Sequence, residues 1–171
     1  MPVFSTYILS EPTMYQNPKR ANNLILLRGA TLWLLVALAL AWCLVFMKWE
    51  LPFIKYIFKD FKRLLQGHID FLLMSSLIFG FYATKVVLPW HVNWSIVIGA
   101  FTNSSLFLMM SIFPELNPPG EGLFPMFFRM LSMISVSITS YGFGMGAIII
   151  FRSTFNDTSD APTKPSDKLT H

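Results

Sequence analysis

Cysteine is nearly missing from this chain of 171 residues: there is one, Cys43, inside an apolar run. That excludes a disulfide framework and a cysteine metal site. Charge is scarce too. Asp, Glu, Lys and Arg make up 13% of the residues, where a soluble domain carries roughly a quarter. With 54% hydrophobic residues and a mean hydropathy of +0.54, the deficit points to a membrane protein. No Gly-rich phosphate loop, HExxH, nucleophile elbow or CxxC is present, so the common soluble-enzyme chemistries find no motif here. The net charge of +4 is modest and unclustered. A nucleic acid is therefore not an expected partner, and the lipid bilayer is.

What is abundant is long apolar sequence, and it divides into an all-α fold of four spans. Residues 1–23 read as a flexible arm with Pro2, Pro12 and Pro18, followed by a membrane domain over 24–152. The first apolar run lacks a small-residue cleavage end and is expected to stay as an anchor. Spans are expected at about 24–47, 68–89, 94–113 and 126–151, each near the twenty residues that a bilayer needs. Both ends then lie on one side. Lys and Arg number seven on that side and six on the other, so the positive-inside rule sets no orientation. The expected location is a membrane, as a multi-pass protein of a bacterial inner membrane. Residues 153–171 are polar and read as a disordered tail.

Between the first two spans, Lys55, Lys59, Lys62 and Arg63 fall at i, i+4, i+7 and i+8. Ile54, Ile57, Phe58, Phe61, Leu64 and Leu65 cover most of the opposite side. One amphipathic helix over 51–66 is expected, lying in the headgroup plane with its basic side outward, or packed as an extension of the bundle. In the fourth span Ser132, Ser135, Thr139, Gly142 and Gly146 recur in steps of three and four. Such a stripe lets helices approach closely, against a neighbour in the bundle or another protomer.

Two places carry candidate chemistry. His68 and Asp70 open the second span, where ionisable groups are expensive and often functional. His68 could also just mark where a helix enters the headgroups, and Asp70 could be a helix-start carboxylate favoured by the dipole. The third span holds Gly99, Thr102, Asn103, Ser104 and Ser105 near its middle. Hydroxyls can bond back to their own helix, but the Asn103 amide needs protein, a cofactor or a cavity. An interhelical hydrogen bond would suffice. His68 and His91 stand at opposite ends of one span, about 35 Å apart. Two-histidine ligation of one haem within a chain is thereby excluded, while single-histidine ligation stays open.

Gly67-His68-Ile69-Asp70, Gly99-Ala100-Phe101-Thr102-Asn103 and the order of the spans resemble the styrene oxide isomerase and hydroxylaminobenzene mutase family over about 24–151. The resemblance implies a homo-trimer in which His68 is the axial ligand of haem b held between protomers. Ferric iron would then act as a Lewis acid on a small apolar substrate, an aromatic epoxide or hydroxylamine. Asn103 would match the family's third-span asparagine, and Asp70 an acidic residue of the mutases. Met74 stands where the family has an asparagine and Phe107 where it has a tyrosine, so both would line a more apolar substrate pocket. The reading from the residues alone keeps another class open: a non-catalytic four-helix subunit of a larger membrane complex.

Overall fold

The computed structural model describes residues 18–116, 120 and 122–157. They form five helices: α1 (Pro18–Lys48), α2 (Pro52–Ile57), α3 (Phe61–Ala83), α4 (Trp90–Ile112) and α5 (Leu123–Asp157). All but α2 are long and apolar enough to cross a membrane. Most of the expected arm, residues 1–17, lies outside the described residues, as do 158–171 of the expected tail and 117–119 and 121 of the turn between α4 and α5. The helices run further at both ends of the domain than expected. Pro18 opens α1, the position where its fixed φ suits a helix and its missing N–H costs nothing. At the other end, α5 runs through Ser153 to Asp157.

The single amphipathic helix expected over 51–66 is divided. α2 stops at Ile57, and Phe58 and Asp60 take extended backbone. The cause is a partner far along the chain. The N–H groups of Lys59 and Asp60 donate to the Ser111 carbonyl at 2.8 and 3.2 Å, and the Ser111 hydroxyl returns 2.8 Å to the Asp60 carbonyl. The N–H groups of 59 and 60 thus serve the end of α4 instead of a helical turn. Asp60 then caps α3, its carboxylate accepting from the Arg63 N–H at 3.1 Å. So Lys55 and Lys59 do not share a continuous face with Lys62 and Arg63. Asp60→Ala should lose about 1 kcal/mol of stability with the cap, read as a lowered unfolding temperature of the purified protein.

This earlier start corrects the setting of His68 and Asp70. They are not at a helix mouth: α3 begins at Phe61, so Asp70 is in its third turn, close to the middle of a 23-residue helix. The dipole acts within the first turn and does not account for a carboxylate there.

α1, α3 and α4 pack on one another around two clusters. Leu26, Ala30, Ile78, Val92, Ile96 and Ala100 fill one; Ala37, Leu40, Leu64 and Phe71 fill the other. Trp33 of α1 stands between them. It stacks on Phe101 at 4.6 Å and donates its indole N–H to the Val97 carbonyl at 3.1 Å, so its polar edge is satisfied. Asn23 ties α1 to the α3–α4 turn through the Val86 carbonyl, 2.9 Å away.

α5 packs chiefly on α4, and the small-residue stripe forms the seam. A Cβ on Gly99 would stand 2.8 Å from the Thr139 Cα, and one on Gly142 would stand 2.7 Å from the Ile96 nitrogen. Ser135 donates across the same seam to the Thr102 hydroxyl at 2.9 Å. Gly146 faces the Phe81 ring of α3. Ser132, one turn before Ser135, returns its hydroxyl to the Phe128 carbonyl of its own helix. Of the two uses open to the stripe, the chain itself takes up the bundle neighbour.

Candidate functional site

Two polar groups project from the middle of α3 in nearly opposite directions. Positions 68 and 70 are about 200° apart round a helix, and their partners follow. His68 turns to α1, its Nδ1 2.8 Å from the Ala37 carbonyl. A carbonyl only accepts, so Nδ1 carries the hydrogen. In the neutral ring Nε2 then keeps its lone pair. Ala37 is fully buried and His68 half-buried.

Asp70 turns to α4. Its Oδ2 accepts from Asn103 Nδ2 at 3.1 Å and from the Ser104 hydroxyl at 2.7 Å. Ser104 is fully buried and also lies 3.0 Å from the Ala100 carbonyl of its own helix. One carboxylate oxygen thus collects an amide and a hydroxyl from consecutive residues of the facing helix. The Asn103 amide, which cannot satisfy itself within a helix, finds its acceptor in Asp70.

His68 and Asn103 therefore do not meet within the chain. Met74 packs against the cluster containing Leu26 and Ile78. Phe107 lies beside Gly67, its Cβ 3.6 Å from where a Cβ on Gly67 would stand. Gly67 and Met74 are two turns apart on α3, about 10 Å, so the two residues expected to line one pocket sit at different depths. Ser104, noted only as part of a polar run, proves the closer of the two Asp70 partners; its step of one from Asn103 was the available signal. Ser111 and Asp60 were missed as a pair because 51 residues separate them. His91 and Tyr141 also come together, ring nitrogen to hydroxyl at 3.1 Å, on an exposed face.

Among the described residues no three His, Cys, Asp or Glu side chains gather as a polydentate metal site. A haem needs only one axial imidazole with a fixed tautomer and an available nitrogen. His68 fits that requirement: its ring is oriented through Nδ1–H, the usual outer partner of a metal-ligating histidine, and Nε2 is the nitrogen left over.

No protein-family model, no curated protein and no solved structure matches the chain.

Proposed function

We propose that the chain is a multi-pass membrane isomerase or mutase, similar to the styrene oxide isomerase and hydroxylaminobenzene mutase family, with His68 as the axial ligand of haem b in a homo-trimer. The observation that supports this reading is the bond from His68 Nδ1 to the Ala37 carbonyl. It fixes the tautomer and leaves Nε2 with its lone pair on a half-buried ring, which is what iron ligation requires of an imidazole. Haem bound there would supply ferric iron as a Lewis acid for the oxygen of an aromatic epoxide or hydroxylamine. The chain's own part is positional. Ala37 holds the imidazole, Asp70 holds the Asn103 carboxamide by its nitrogen, and the Asn103 oxygen, on the other side of α3 from its own His68, would meet a substrate held at the His68 of another protomer. Phe107, one turn along α4 from Asn103, keeps its surroundings apolar, while Met74 belongs to the core around Leu26 and Ile78.

The membrane setting belongs to the same proposal. Leu35, Trp42, Phe127, Met133 and Phe151 are all more than half exposed on helices of spanning length, which suits hydrocarbon surroundings. α2 lies in the headgroup plane: Phe53 and Tyr56 are 70% and 83% exposed, and Lys55 pairs with Glu50 at 3.0 Å.

Absorbance of the detergent-purified protein, expressed with haem supplied, tests the reading. A Soret band is expected, together with its loss in His68→Ala. A colourless wild type would favour the non-catalytic subunit, a reading supported by the many apolar side chains of α5 left without a partner.

A further inference from the structure

Asp70 gives one oxygen to the bundle and keeps the other. Oδ2 accepts both the Asn103 amide and the Ser104 hydroxyl, while Oδ1 accepts nothing among the described residues. Asn103 repeats the pattern: its nitrogen is engaged by Asp70, and among the same residues its oxygen has no donor. Both side chains are half-buried, and neither open oxygen is sealed from the surface. The bond between Asp70 and Asn103 sets these two acceptors side by side where α3 meets α4. The one donor left beside them is the second amide hydrogen of Asn103.

The pair lies deep in its spans. Asp70 is nine residues beyond Phe61 and thirteen short of Ala83, about 14 and 20 Å along the axis. Asn103 is thirteen beyond Trp90 and nine short of Ile112. A carboxylate at such a depth is costly without a partner, and by default it marks a functional site. Asp70 forms no ion pair among the described residues. Arg63 stands seven residues earlier on the same face of α3, about 10 Å away along the axis. Its guanidinium donates to the Gln66 side chain at 2.8 Å. The counter-charge is left to come from outside the chain.

The open atoms select the ligand. Two acceptors call for a group that donates. A hard divalent cation takes six or more oxygens, and this pair offers two. A quaternary ammonium has charge but no N–H. A lipid headgroup amine has N–H but is held at the bilayer surface. A primary ammonium on a small apolar body has three donors, the missing charge and a body that hydrocarbon accepts. Leu73, 54% exposed and one turn after Asp70, gives that body an apolar wall. Phe107, one turn after Asn103, adds an aromatic ring, which attracts a cation.

We propose that Asp70 and Asn103 form a binding site for a primary ammonium ion carried on a small aromatic or aliphatic body, its N–H groups donated to Asp70 Oδ1 and Asn103 Oδ1. The site rests on the membrane embedding proposed above and is independent of haem.

Equilibrium dialysis of the detergent-purified full chain tests it, with phenethylammonium and its neutral analogue 2-phenylethanol as probes at neutral pH. Wild type is expected to bind the ammonium about tenfold more tightly, the worth of one hydrogen bond to a charged group. Asp70→Asn keeps an acceptor and removes the charge; it should erase that preference while leaving the helical circular dichroism unchanged. Asn103→Leu should weaken ammonium binding about fivefold, the worth of one ordinary hydrogen bond. Equal affinity of wild type for the two probes would overturn the proposal, as would an Asp70→Asn chain that keeps the preference. So would an oligomer that takes up no ammonium and that Asp70→Asn dissociates, since a donor of a second copy would then occupy the site. Ammonium binding confined to haem-loaded chain would assign the amine to iron and overturn the proposal as well. A colourless wild type that binds the ammonium through Asp70 would support the site and remove the haem reading alone. Extraction of the wild-type chain from membranes by alkaline carbonate would instead overturn the embedding itself.

Discussion

Gly142→Ala is expected to destabilise the protein by about 1–3 kcal/mol, although alanine is the better helix former. The added methyl would stand 2.7 Å from the Ile96 nitrogen and 2.8 Å from the Ser95 carbonyl carbon, both backbone atoms that cannot rotate away. α4 and α5 would have to separate, and the Ser135–Thr102 bond and the Gly99–Thr139 contact lie on the same seam. Gly144, two residues on, supplies the control. A Cβ there meets nothing within 4 Å, so Gly144→Ala should stabilise by about 0.5–1 kcal/mol through helix propensity alone. Thermal unfolding of both variants in one detergent reads the contrast. Shifts of the same sign would refute the account of the seam.

The second large effect concerns Asp70. Asp70→Ala leaves the Asn103 nitrogen without its acceptor, while Ser104 keeps the Ala100 carbonyl as an alternative. The expected loss is about 1 kcal/mol, the low end of the cost of an orphaned donor, because Asn103 is half-buried. Adding Asn103→Leu should recover most of that loss, because removing both partners leaves no polar group stranded. Asp70→Asn, which still offers one acceptor oxygen, should fall between wild type and Asp70→Ala. A double-mutant cycle on unfolding free energy measures the coupling directly. Simple addition of the two single losses would show that the pair does not act as a unit.

These two sites also mark how far the chain could be read in advance. Four apolar stretches of spanning length are a local property, and they reappear as α1, α3, α4 and α5. The stripe on the last helix was equally local, a matter of steps of three and four. Its partner was not: Thr139 against Gly99 and Gly142 against Ile96 follow from how α4 and α5 cross. The division at residues 58–60 was hidden for the same reason. Periodicity favoured one continuous amphipathic helix, and the competing acceptor, the Ser111 carbonyl, belongs to another helix. Lys62 and Arg63 follow Asp60 almost at once, and the basic residues on either side of it suggested a continuous face instead of a cap. The angle between positions 68 and 70 separates His68 from Asp70 on any helix, whereas which residues donate to the Asp70 oxygen depends on the register of α3 against α4.

The uneven attachment of α5 bears on how the chain comes to be assembled. When translation has reached Ile112, every residue of the two clusters around Leu26 and Phe71, together with both donors to Asp70, has already been made. Three of the four helices of spanning length can settle while the ribosome is still synthesising the remainder. The last helix then arrives at a formed wall, where the Gly99 notch, the Ile96 backbone and the Thr102 hydroxyl set its register.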